Sequence, residues 1–246
     1  MALDLVILLS LLFLFGAILM MLIHRYRPDN ATSVRGDWLK YAVFAGIVTG
    51  VIAVAALGRI WTAVLLASLA LYGSLELGRH LRLSRLQRML IIVLCTALIA
   101  LLLAHLLMLQ SSSWPDRFVF GFVIVAVTDS YSQLWGRLLG RHRFCPTLSP
   151  HKTWEGLGGG LVTATVCAWL MGFLFPNTTV SHLIAAGTLI AMAAGAGDLG
   201  FSAVKRFLRI KDFSNLLPGH GGVLDRFDSL VIAAPCIYWI DRLVLR

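Results

Sequence analysis

The sequence predicts an all-α, polytopic membrane protein: an integral helical bundle of about eight transmembrane helices, with nine as the alternative count. Two observations predict it. Of 246 residues, 59% are hydrophobic and only 13% charged, more apolar surface than a soluble domain of this length could hide from water. The apolar residues also gather into runs of about 20, the length that crosses a bilayer as a helix, and such runs recur from end to end.

The first run, 3–23, is too long for the apolar stretch of a secretory signal. It has no basic start and no small-residue cleavage pattern, so it is read as a span. Arg25, Arg27, Arg35 and Lys40 separate it from, or open, the second span at 38–58. The third span, 60–78, is followed by Arg79, Arg82, Arg85 and Arg88, and the fourth runs over 89–109. The fifth, 117–138, ends among Arg137, Arg141, Arg143 and Lys152, before the sixth at 157–175. The seventh, 182–204, leads into Lys205, Arg206, Arg209, Lys211 and Arg226, and the eighth covers 228–244.

Seventeen of the 21 Lys and Arg residues therefore sit in the loops after the odd-numbered spans. The positive-inside rule turns that asymmetry into an orientation, with four basic loops in the cytoplasm and both termini outside. It also accounts for the net charge of +9 without nucleic acid, which is excluded as a partner. The expected localisation is the cell membrane, multi-pass, with any site in the basic loops facing the cytoplasm. Cys95, Cys145, Cys167 and Cys236 are scattered without a C-x-x-C pair, so neither a disulfide framework nor a zinc site is indicated.

Chemistry is expected in the second half. The chain has only twelve acids, and Asp129, Glu155, Asp198, Asp212, Asp225 and Asp228 fall in or beside the last two basic loops. An ionisable group inside a span is costly, and by default it marks function. Asp129 is followed at helical spacing by Ser132, Gln133, Gly136 and Gly140. Asp198 is followed by Ser202, Lys205 and Arg209 at i+4, i+7 and i+11, an acid at membrane depth with bases toward the mouth. Asp225 and Asp228 share a face at the start of the eighth span.

One such Asp–Lys pair could simply hold two helices together. Four aspartates at the ends of three helices, with bases between them, fit Mg²⁺ and phosphates better, hence a nucleoside triphosphate. Gly156 and Gly160 read as close helix packing, since no phosphate-loop pattern accompanies them. The turn Pro218-Gly219-His220-Gly221-Gly222 is a different case: its glycines allow positive φ and bring backbone N–H groups near an anion. The first half, 1–110, is assigned to packing, lipid access or dimerisation, and 111–246 to a catalytic region with nucleotide-binding loops.

The stretch SAVKRFLRIKDFSNLLPGHGGVLDRFD, from Ser202 to Asp228, closely resembles the signature of phosphatidate cytidylyltransferases, the CDP-diacylglycerol synthases. GDL at 197–199, SPHKTWEG at 149–156 and DSYSQLWGRLLG from Asp129 resemble other motifs of that family, and the likeness covers roughly the second half of the chain. The resemblance implies transfer of the cytidylyl group of CTP to phosphatidate, giving CDP-diacylglycerol and pyrophosphate in phospholipid biosynthesis. It implies Mg²⁺ held by Asp198, Asp225 and Asp228, with Asp129 as a further acid and room for a second cation, monovalent or divalent.

By the same resemblance, Lys205, Arg206, Lys211 and Arg226 contact phosphates, and Ser149, Lys152 and Thr153 contact the nucleotide. Ser202 belongs to the substrate site, and His220, Gly221 and Gly222 shape the triphosphate pocket. Two departures bear on the lipid: Tyr131-Ser132 stands where the family has a small pair, and His151 where it has Gly or Asn. Tyr131 is accordingly expected to touch the lipid acceptor. The alternatives are cytidylyl or phosphoryl transfer to another lipid or isoprenoid acceptor and, from another class, an ion-coupled transporter. A transporter would carry its acids near mid-bilayer on broken helices. A homodimer is compatible with the apolar first half.

Overall fold

A computed structural model of the chain describes residues 2–27, 33–80, 85–109, 114–214, 216 and 221–245. Among these, helices account for every predicted span. They are α1 (Ala2–Tyr26), α2 (Val34–Ala56), α3 (Arg59–Arg79), α4 (Arg85–Leu107) and α5 (Trp114–Leu139). A short antiparallel hairpin follows, β1 (Arg143–Cys145) with β2 (Ser149–Thr153). Then come α6 (Trp154–Leu170), continued by a 3-10 turn over Met171–Leu174, α7 (Val180–Phe207) and α8 (Leu224–Leu243). The hairpin is the one feature that an all-helical reading of the loops did not anticipate.

Seven of the helices, α1 to α7, are long and apolar enough to cross a membrane. Their large exposed side chains, such as Leu11, Trp61, Val93 and Val162, are apolar, as a surface solvated by lipid requires. The predicted eighth span, α8, does not meet the same measure, because Asp225, Arg226, Asp228, Asp241 and Arg242 lie within its twenty residues. It packs instead against α3, α4, α5 and α7, with its polar residues Asp225, Asp228, Ser229 and Asp241 buried among them.

Close crossings set the second half of the bundle. A Cβ on Gly160 would come within 1.9 Å of Ser132 Oγ, and one on Gly156 within 2.6 Å of the Ser132 carbonyl oxygen. So α5 and α6 touch backbone to backbone, and the Gly156–Gly160 pair is a packing device. Gly197 does the same for α7 on α8, where a Cβ would meet Ser229 Cα at 3.1 Å. This crossing holds Asp198 beside the start of α8.

Polar ties sort the ends of the helices into two faces. On one face, the Arg137 guanidinium forks onto both oxygens of buried Asp37 at 2.6 and 3.3 Å, with His24 also 3.3 Å from that carboxylate. His80 Nε2 donates to the Phe213 carbonyl at 2.7 Å, and Arg206 Nε to that of Leu148 at 2.9 Å. On the opposite face, Arg59 reaches the Leu109 carbonyl and Arg117 pairs with Asp241. The hairpin and the loop before α8 therefore share one face with the ends of α1, α3, α5 and α7. That is the side to which the charge asymmetry assigns the basic loops. All four cysteines are free.

Candidate active site

The site is built on the last two turns of α7 and the first turn of α8. Lys205 on α7 places Nζ 3.0 Å from Asp225 Oδ1 and 3.3 Å from Asp228 Oδ2. Asp225 and Asp228 stand three apart on α8, one above the other, which lets a single ammonium serve both. The other oxygen of Asp225 accepts the backbone N–H groups of Phe213 and Gly222, both at 2.8 Å. Asp228 Oδ1 accepts from Ser229 N–H at 2.8 Å. Ser202, one turn before Lys205, is buried in the same α7–α8 seam. Two buried carboxylates around one ammonium leave a net negative charge, and burial of such a group is tolerable only with this much hydrogen bonding.

A second ion pair lies beside the first. Lys152 of β2 reaches Asp198 Oδ2 at 2.7 Å, the Asp198 side chain being 36% exposed. Asp129 on α5 completes the group, within electrostatic reach of Asp198, Asp228 and Lys152 and against the Ser229 hydroxyl. Four acids and two lysines, all predicted from the sequence, thus meet where α5, α7, α8 and the hairpin converge. Arg206, Lys211 and Arg226 are exposed around them, Arg206 with its Nε on the Leu148 carbonyl, and a rim of such charges suits an anionic ligand.

The turn after α7 follows from its C-cap. Arg209 takes a left-handed conformation (φ 56°), and Ile210 N–H returns to the Lys205 carbonyl at 2.9 Å. That reversal buries Phe213, whose ring lies edge-on to Phe201 and 5.6 Å from Lys205 Nζ. Gly221 adopts φ 79°, where a side chain would be strained. The Gly222 N–H, expected to face an anion, points inward to Asp225. His220 lies outside the described residues.

Thr153, Ser149 and Glu155 each hold local structure around the hairpin. The Thr153 hydroxyl accepts Gly156 N–H at 3.1 Å, so it caps α6. Ser149 pairs with Cys145 across the hairpin. Glu155 is turned away, clamping the backbone N–H groups of Arg141 and His142 to the base of the hairpin.

Tyr131 is the clearest correction. Two positions beyond Asp129 on a helix is the opposite side, and its ring stacks on Phe15 at 5.6 Å. Its hydroxyl donates to the Leu12 carbonyl of α1 at 2.5 Å. The residue packs α1 on α5 and does not line the acid cluster. Tyr131→Phe is therefore expected to cost about 1 kcal/mol, the worth of one hydrogen bond. A lowered unfolding temperature with unchanged preference among lipid phosphates is the expected pair of results; altered preference would return Tyr131 to the site.

Sequence reasoning missed Glu76 on α3 and His80, one turn later at the C-cap of that helix. Glu76 is buried and accepts from Val223 N–H at 3.0 Å, Leu224 N–H at 2.9 Å and the Ser214 hydroxyl at 2.6 Å. The signal was available, since an acid within an apolar run is as costly at position 76 as at 129 or 198.

Among the described residues, no three acids meet at a single metal-binding point. The carboxylates are divided between Lys152 and Lys205. The set is all oxygen, the donor chemistry that a hard cation takes, and Mg²⁺ commonly needs only one or two carboxylates when phosphates and water fill its other positions.

A profile of the cytidylyltransferase family matches residues 2–244. The chain is 38% identical over 133 residues to a phosphatidate cytidylyltransferase of Rickettsia bellii, covering 50% of this chain and 57% of that one. It is 42% identical over 132 residues to a phosphatidate cytidylyltransferase of Haemophilus influenzae, covering 52% and 46%. An uncharacterized Escherichia coli protein, YnbB, is 38% identical over 142 residues, covering 56% and 48%. The chain thus spans about half the length of the curated relatives it matches.

Proposed function

Because the chain belongs to the cytidylyltransferase family, we propose that it transfers the cytidylyl group of CTP to phosphatidate, releasing pyrophosphate and CDP-diacylglycerol. The observation that carries this reading is the meeting of Asp129, Asp198, Asp225 and Asp228 with Lys152 and Lys205 at the ends of apolar helices. A triphosphate needs cations around it, and a phosphate-headed lipid needs a site at the membrane surface.

A phosphate oxygen of the lipid attacks the α-phosphorus of CTP. The bond to the bridging oxygen breaks, and pyrophosphate leaves with that electron pair. The protein positions two anions in line and offsets their charge. Lys205 and Lys152, held in place by the acids, donate their remaining ammonium hydrogens to phosphate oxygens, and Arg206, Lys211 and Arg226 hold the outer phosphates. Asp198, Asp225 and Asp228 would hold Mg²⁺. When bound, Mg²⁺ would neutralise charge on the phosphates. In this reading the protein sits in the cell membrane with this face toward the cytoplasm and its CTP, an orientation that the basic loops support.

The test is turnover by the purified protein in lipid nanodiscs with CTP and phosphatidate. Equal amounts of pyrophosphate and CDP-diacylglycerol are expected. Release of CDP would mean phosphoryl transfer instead, and consumption of CTP only with an isoprenoid phosphate would reassign the acceptor. For the orientation, a cysteine at Arg143 should be labelled in cells only after permeabilisation. Labelling of intact cells would overturn it.

A further inference from the structure

We infer that Glu76, on a helix of the apolar first half, is a positioning residue for the cytidylyl-transfer site. The inference rests on the function proposed above but is argued from geometry of its own. Glu76 is 2% exposed, and among the described residues no cation forms an ion pair with it. Its charge is met instead by the N–H groups of Val223 and Leu224, which open α8, and by the Ser214 hydroxyl. A carboxylate accepting three donors at a helix N-terminus is well stabilised, and it binds those donors in one arrangement.

The fit around it is close. A Cβ on Gly222 would fall 2.5 Å from a Glu76 oxygen, and one on Gly73, a turn earlier on α3, 3.0 Å from the Leu224 side chain. One turn later, His80 grips the Phe213 carbonyl at 2.7 Å. These anchors bracket Phe213 and Gly222, the two residues whose N–H groups fix Asp225, and Asp225 in turn fixes Lys205. A relay therefore runs from Glu76 through the backbone of the loop to the acid and the lysine. Glu76 itself touches neither. Loss of Glu76 should let the start of α8 drift, which matters most when the reacting groups must be aligned.

The test combines steady-state kinetics with amide hydrogen exchange on the full chain in nanodiscs. Glu76→Gln keeps the shape and one acceptor oxygen but removes the charge. It should lower kcat roughly tenfold to a hundredfold, the effect of losing one charge-assisted hydrogen bond. KM for CTP should change by less than about threefold, since the ligand-contacting groups remain. Exchange at Val223 and Leu224 should accelerate while the α5–α6 crossing stays protected. Glu76→Asp, which keeps the charge, should recover part of both.

Wild-type kcat with unchanged exchange at 223 and 224 would overturn the inference. So would a folded variant whose exchange rises as much at the α5–α6 crossing as at 223 and 224, the mark of a merely structural residue. Should Glu76→Gln not fold, Ser214→Ala decides: it removes one arm and should speed exchange locally with a several-fold fall in kcat, and no local change would overturn the inference. Absence of CTP turnover in the unaltered protein, with local exchange behaving as expected, would sink the proposed function and leave the loop anchor standing.

Discussion

Asp225→Asn is expected to lower cytidylyl transfer by at least about a hundredfold in a protein that still inserts and purifies as a single species. Asparagine matches aspartate in size, and its oxygen can still accept from Phe213 or Gly222. Its amide, however, presents a donor to Lys205 Nζ, which now lies 3.0 Å from Asp225 Oδ1. The pair is buried, and removing one member of a buried pair typically costs about 3–5 kcal/mol. Part of that cost appears as stability and the rest as misplacement of Lys205 for the phosphates. Product formation in nanodiscs, normalised to folded protein by size-exclusion profile, measures the second part. Turnover within threefold of the unaltered protein would make Asp225 a helix-pairing acid with no part in the chemistry.

Lys205→Met should do more damage, of the order of a thousandfold or beyond. The thioether side chain fills similar space against Phe213, so packing survives. Two carboxylates, Asp225 and Asp228, are then buried without their shared cation. Repulsion between them at short range adds to the loss of a phosphate-binding charge. Lys205→Arg is not expected to restore activity, because a planar fork cannot sit as a point charge between two acids on one helix face. Thermal unfolding should fall for the methionine variant, and added phosphatidate should not recover it. Normal turnover by Lys205→Met would remove the lysine from the site and with it the relay through the α8 loop.

The site was legible in proportion to how local its signals are. Asp129 and Asp198 announce themselves as acids in apolar runs, and Asp225 and Asp228 by their spacing and the signature around them. Glu76 carries the same signal as Asp129, an acid in an apolar run. Nothing near it in sequence points to chemistry. Its partners, Ser214, Val223 and Leu224, are about 140 residues away, and only the packing of α3 on α8 brings them together. Tyr131 shows the opposite error. Its place where the family has a small pair suggested contact with the lipid, yet the turn of the helix sends its ring to α1.

By itself, the sequence determined that the chain crosses a membrane many times, where its helices lie and which loops carry the charge. These are sums over about 20 neighbouring residues, because a bilayer tests each segment separately for apolarity and internal hydrogen bonding. Tertiary structure alone decided which acid faces which lysine, that Thr153 caps a helix, and that α3 holds the loop of the site. Those outcomes depend on which helices touch and at what depth, and close crossings at glycines such as Gly160 and Gly197 set that. Once two backbones meet there, each buried polar group must take whatever partner the crossing presents, since lipid offers it none.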